Sequence, residues 1–173
     1  MNLFKRLSFK VLNKSKVLII DETNQKINFD LNEAELINPR KIYFLYLIKA
    51  VLKIHRTYLS KKIINIIYLK EILKSVKPNL IIGNNINGLI FKFKECDFSI
   101  KTIMYQHSYI YDHAIEDFKK NYKNKHVDYF CVFDDRHRYI FKNFVNCKFL
   151  LTGSLIYNNN YIKPNSNKEI DIL

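Results

Sequence analysis

Glycine is nearly absent, with three in 173 residues. A chain so poor in glycine cannot build the turn that lets backbone N–H groups close around a phosphate, and neither G-x-G-x-x-G nor G-x-x-x-x-G-K-[ST] occurs. Standard dinucleotide and P-loop nucleotide binding are therefore not expected within this stretch of chain. Cysteine is equally scarce. Cys96, Cys131 and Cys147 are odd in number and contain no C-x-x-C pair. Cys131 and Cys147 fall in apolar, strand-like runs, so they read as buried, reduced thiols and not as a disulfide framework. His113, His126 and His137 share no zinc-ligand spacing with one another or with the cysteines, and H-E-x-x-H is missing. Neither a metal nor a cofactor is expected.

A long apolar run is also missing. The most apolar stretch, Ile42 to Ile54, is broken by Lys49 and Lys53 and falls short of the roughly 20 residues that span a bilayer. Met1 to Lys16 alternates basic and apolar residues, without the uninterrupted apolar core of a signal peptide. A cytoplasmic protein is expected, with peripheral contact at the inner face of the cell membrane as the one membrane role in view. Acids are few, 16 against 29 Lys and Arg, and the net charge is +13. Such a charge ordinarily points to nucleic acid or an anionic membrane. Here the excess is nearly all Lys and runs along the whole chain, beside heavy use of Ile, Asn, Phe and Tyr, the profile of an A+T-rich genome. Arg is sparse and no cluster of Arg with aromatics occurs, so nucleic acid is not expected as a partner.

What is present is enough to fold. Hydrophobic residues make up 48% and aromatics 14%, with 13 Phe and 12 Tyr, which excludes a disordered chain. Lys16-Val-Leu-Ile-Ile-Asp21 reads as a first strand, and a short strand around Ile27 to Leu31 is expected to follow. Pro39 suits a helical first turn, so helix is expected from Arg40 to about Tyr58 and again from Lys61 to Val76, stopping before Pro78. Strands then alternate with helices. Asn79–Gly83, Ile100–Tyr105, Val127–Phe133 and Cys147–Thr152 are strand-like, while Asn87–Glu95 and Asp134–Phe144 are helical. This alternation predicts an α/β fold, a Rossmann-like parallel sheet with right-handed crossovers and helices on both faces. One domain is expected over residues 1–156, a polar linker over 157–168, and in the apolar run 169–173 the opening strand of a second domain.

Parallel sheets present their chemistry at the carboxyl ends of the strands. Those ends carry Gly83-Asn84-Asn85, Gln106-His107-Ser108, Asp134-Asp135 and Gly153-Ser154. The His107 imidazole is placed to take a proton from a substrate hydroxyl near neutral pH, against the plainer reading of a loop histidine bonded to backbone. Asn84, Asn85 and Asn87 suit sugar hydroxyls, but asparagine also caps helices and accepts left-handed turns. Gly153 and Ser154 suit an anionic or sugar ligand, and equally a tight turn. Asp134-Asp135 has the look of an acidic pair for a divalent cation; an N-cap acid is the commoner reason for it. The lysine-rich helices between Arg40 and Lys77 are either solvated faces or a surface lying against anionic headgroups.

Taken together, Lys77-Pro-Asn-Leu-Ile-Ile-Gly-Asn-Asn85, Met104-Tyr-Gln-His-Ser108, Val127-Asp-Tyr-Phe-Cys-Val-Phe133 and Leu151-Thr-Gly-Ser154 resemble the amino-terminal domain of GT-B type glycosyltransferases. Within that class the likeness is to bacterial surface-carbohydrate biosynthesis proteins. It runs from about Lys77 to Asn160, with Ser108 and Asp134 standing where glycine is usual. The resemblance implies transfer of a sugar from a nucleotide-sugar donor, held by a second domain, to a polysaccharide or lipid-linked acceptor bound by this one. His107 is then the base or acceptor-orienting group, with Asn84, Asn85, Gln106, Ser108, Gly153 and Ser154 around the substrate. The competing expectation is a non-catalytic basic subunit that binds carbohydrate, membrane surface or nucleic acid.

Overall fold

The computed structural model describes residues 6–21, 34–53, 61–85 and 88–154. The expected strand near Ile27, the linker and the run 169–173 lie outside the described residues. Two very short strands, β1 (Leu7–Ser8) and β4 (Ile42–Tyr43), form a parallel pair at one side. The main sheet has six parallel strands: β2 (Val17–Ile20), β3 (Ala34–Ile37), β5 (Leu80–Asn84), β6 (Lys101–Tyr105), β7 (Lys125–Val132) and β8 (Val145–Leu151), in the order β3-β2-β5-β6-β7-β8. Between the strands run α1 (Phe44–Lys53), α2 (Lys61–Val76), α3 (Leu89–Cys96), α4 (Asp112–Tyr122) and α5 (Asp135–Phe141). This is the Rossmann-like α/β domain that the alternation of elements predicts.

Strand side chains alternate between two faces. On one face Leu18, Ile20, Ile81, Met104, Phe130 and Val132 join a cluster to which all five helices contribute, among them Tyr46, Ile72, Phe91, Tyr122 and Phe141. On the other face Ile82, Tyr105 and Cys131 form a smaller cluster with Val17, Leu80 and Ile103, and among the described residues it holds strand side chains only. In the middle of the sheet β5 is buried from Ile81 through Asn84. That is why a continuous apolar run codes for it where an edge strand would alternate.

Several boundaries depart from expectation. The first helix begins at Phe44 and not at Arg40, because Ile42 and Tyr43 are drawn into the pair with Leu7 and Ser8. The turn before it is closed by Asn38, whose Oδ1 accepts from Arg40 N at 2.9 Å and whose carbonyl accepts from Lys41 N at 3.0 Å. Pro39 is therefore a turn residue. The described part of α1 ends at Lys53, and the rest of that expected helix falls on undescribed residues. The strand β3 was not anticipated, since Glu35 interrupts it. Its carboxylate is buried against Lys10 Nζ and also accepts from Asn13 N at 3.2 Å. The helix α4 was not anticipated either. Its sequence is polar apart from a single stripe of Ala114, Ile115, Phe118 and Tyr122 that packs on the core. The end of α2 follows expectation: Val76 is its last residue, Lys77 turns left-handed at φ 56° and donates to Leu73 O at 2.8 Å, and Pro78 prevents continuation.

Candidate functional site

The strand order places the expected tips on one rim. Asn84, Tyr105, Cys131 and Leu150 stand abreast in one row near the carboxyl edge of β5, β6, β7 and β8. Just beyond that row come Asn85, Gln106-His107-Ser108, Asp134 and Gly153-Ser154. The chain also reverses direction here. From β2 it steps outward to β3 and then returns to the far side of β2 as β5, and such a switch point opens a crevice at the carboxyl ends of the diverging strands.

The turn after β6 is held from three sides. Gln106 is buried and its amide is committed internally: Nε2 donates to Ser108 O at 3.0 Å, and Oε1 accepts from Phe133 N at 3.1 Å. Its backbone N–H reaches Cys131 O at 2.9 Å. Asn85, also buried, accepts from His107 N at 2.9 Å through Oδ1, while its own N–H donates to Tyr105 O at 3.0 Å and its carbonyl takes the Tyr122 hydroxyl. Burial pushes the Tyr122 phenol up to about 12, so it stays a donor.

His137 is the third support. It is fully buried in α5, with Nδ1 2.7 Å from Asp134 Oδ1 and Nε2 accepting from Ile110 N at 3.4 Å. A backbone N–H at Nε2 requires the tautomer that carries its proton on Nδ1. Tyr109 stands edge-on to the His137 ring at 4.4 Å between centroids, and Arg136 lies over Tyr109. Asp134 is the N-cap of α5, its Oδ1 accepting from His137 N at 2.9 Å. That backbone bond, opposed by partial burial and helped by the His137 ring, holds the Asp134 carboxyl below the usual range. The acid thus serves the helix and the turn. Among the described residues no three His, Cys, Asp or Glu side chains converge as metal ligands.

Within this frame His107 is the exception. Both ring nitrogens are buried, and neither has a hydrogen-bond partner. An unsatisfied buried polar atom costs about 1–3 kcal/mol, so a histidine without a protein partner at either nitrogen is the rim side chain with hydrogen-bonding capacity to spare. Two residues back the Tyr105 hydroxyl is buried beside Asn84. Burial, with the negative charge of Asp21 added, pushes its phenol strongly upward, opposed by a hydrogen bond with the Asn84 side chain. Asp21, at the end of β2, and Asn84, at the end of β5, are buried on the same stretch of rim. Polar side chains from β2, β5 and β6 are thus gathered at the switch point.

The expected site residues divide accordingly. Asn85 and His107 are brought into contact. Gln106 and Asn85 face inward as supports of the His107 turn, and Ser108 is exposed with its carbonyl bound to Gln106. Gly153 and Ser154 stand at the tip of β8, two strands from His107, or about 10 Å at normal strand spacing. Gly153 has φ 64°, the left-handed conformation that favours glycine, so a turn requirement accounts for it. Three participants were not among the expected site residues. Tyr105 was read only as strand and Asp21 only as the acid ending a strand, although both adjoin the rim motifs. His137 was weighed for zinc alone, and its i,i+3 spacing from Asp134 was the available signal. A concavity of about 700 Å³ lies elsewhere, between α2 and α3, lined by Lys62, Ile66, Leu69, Lys70, Lys92 and Cys96. It contains no orphaned polar atom.

No protein-family model matches the chain, and no curated protein or solved structure does so either. Function is argued from the rim itself.

Proposed function

We propose that this chain is the acceptor-binding domain of a glycosyltransferase of the GT-B kind, acting on a carbohydrate or lipid-linked acceptor with His107 at the reacting hydroxyl. The observation that carries the reading is the His107 ring, half-buried, with both nitrogens enclosed and unpartnered, and seated on a turn braced by Asn85, Gln106 and His137. A rigid mount for one imidazole at the carboxyl edge of a parallel sheet is what proton abstraction from a bound hydroxyl needs. In the step proposed, the acceptor hydroxyl gives its proton to His107. Its oxygen bonds to the sugar carbon of the donor, and the bond from that carbon to phosphate breaks, releasing the nucleotide. The Tyr105 hydroxyl and Asn84 amide lie on the side of the rim toward β2, where they would take hydroxyls of the same acceptor. Donor phosphates would fall to a second domain, in keeping with the absence of any glycine-rich cradle.

The test is NMR of the histidine ring resonances in the 173-residue chain as short neutral oligosaccharides are added. The expected result is a saturable shift of the His107 resonances, and in His107→Ala, with the melting temperature kept, loss of the carbohydrate-induced shifts of the remaining histidines. No response of His107 to any carbohydrate would sink the proposal. Turnover of a nucleotide sugar by the 173-residue chain alone would overturn the division of labour between two domains. Carbohydrate binding without transfer in a longer form of the protein would favour the competing binding-subunit reading.

A further inference from the structure

Among the described residues no helix is long and apolar enough to cross a membrane. One helix is nevertheless apolar on the wrong side. In α1 the buried residues are Tyr46 and Ala50. At 3.6 residues per turn, Phe44, Ile48, Val51 and Leu52 fall within an arc of about 100° on the opposite side. Ile48 is 39% exposed, Val51 48% and Leu52 76%. Beside this stripe lies the segment before β2, where Phe9, 74% exposed, meets Phe44 edge-on at 5.4 Å and Val11 is also exposed. Leu12 N donates to Tyr46 Oη at 2.9 Å and so ties the segment to the helix. The result is one continuous outward apolar patch, which a water-facing helix does not need.

Among the described residues, the two segments that form the patch are strongly basic. Residues 6–16 carry four basic side chains and residues 34–53 four more, against one carboxylate, Glu35. Glu35 is 5% exposed and paired with Lys10, so it offers no surface negative charge. On α1, Lys49 stands next to the Leu52 edge of the stripe, its Nζ 5.5 Å from the Tyr46 ring centroid; Lys53 lies further round and pairs with Glu71 at 2.6 Å. We infer that this patch seats the protein on an anionic lipid surface, with Leu52, Val51, Ile48 and Phe9 entering the headgroup boundary and the lysines meeting lipid phosphates. Apolar insertion ringed by lysine is the arrangement that binds such interfaces. A second copy is a poor occupant, since a two-fold contact would set both rings of cations against each other. Nucleic acid is poorer still, because exposed aliphatics have nothing to gain against phosphates or stacked bases. The inference stands apart from the transferase reading and uses none of the rim residues.

The test is co-sedimentation of the 173-residue chain with vesicles of phosphatidylcholine alone and of phosphatidylcholine mixed with phosphatidylglycerol. Binding is expected to the mixed vesicles and to weaken as salt rises. In Val51→Asp/Leu52→Asp, which changes exposed positions and leaves the melting temperature near that of the parent, partitioning is expected to fall roughly tenfold or more. Failure of the parent to bind mixed vesicles would overturn the inference, as would undiminished binding by the double variant. So would a dimer in light scattering that the double variant dissociates, which would make the patch a contact between copies.

Discussion

The ion pair at the amino-terminal side of the sheet permits a quantitative forecast. Lys94 of α3 is 2% exposed, yet its ammonium is fully used: Nζ donates to Phe98 O at 2.9 Å, Ile100 O at 2.8 Å and Asp128 Oδ2 at 2.8 Å. Asp128 on β7 also accepts from Thr102 N at 2.8 Å and Thr102 Oγ1 at 2.9 Å, with Lys101 Nζ 3.9 Å away. The two partners are unequal. Asp128 keeps 16% side-chain exposure and three other favourable groups, whereas Lys94 has 3% and only two carbonyls once the carboxylate is gone. Asp128→Ala should therefore cost about 3–5 kcal/mol, the range for stranding a buried charge. Lys94→Met, which removes the buried charge and leaves its stem volume filled, should cost about 1–3 kcal/mol, mostly lost hydrogen bonds. Asp128→Asn, which can still accept from Lys94, should fall between them. Guanidinium unfolding with the slope unchanged reads all three. The reasoning is refuted if Asp128→Ala costs less than about 1 kcal/mol, or if Lys94→Met proves the costlier change.

The same carboxylate sets an acid limit. For Asp128, burial pushes the pKa up but is outweighed by hydrogen bonds from Lys94 and Thr102 and by the Lys94 charge, so the folded value is lowered; Asp134 is lowered too, chiefly by the His137 backbone N–H. A lowered folded pKa gives stability that is complete above the ordinary carboxylate range and lost as pH falls through it. Thermal melts should decline across that acid window, and Asp128→Asn, already lower at neutral pH, should decline less; an equal decline would remove Asp128 as a cause. Asp134→Ala should cost about 1 kcal/mol through the lost N-cap and speed hydrogen exchange at the Ile110 amide, because His137 loses the group that orients it. Unchanged exchange there would mean that the turn does not depend on this clamp.

Much of the fold is legible along the chain for a physical reason. The central strands β2, β5, β6 and β7 are buried on one face and at least half-buried over much of the other, most completely in β5, so each carries a run of apolar residues, and polar residues or glycine end each run. A peripheral element carries a fainter signal. Glu35 interrupts β3 and becomes intelligible only beside Lys10, 25 residues away, and α4 shows one apolar stripe in an otherwise polar segment. The rim motifs were likewise readable as strand ends. Their division of labour was not, because Asn85, Gln106 and His107 are all polar residues at strand tips and nothing local distinguishes a brace from a free ring.

The sequence by itself determined the class of fold, the alternation of elements and the set of polar tips, all of which rest on local spacing of apolar and polar residues. Only the tertiary structure decided the strand order that sets Asn85 against His107, the inward commitment of Gln106, and the clamp that reaches from His137 to Ile110. It alone also enclosed the His107 nitrogens without a protein partner and turned the apolar side of α1 outward. Each of these depends on which distant residues meet, and the hydrogen-bonding capacity of a side chain is settled by its neighbours in space.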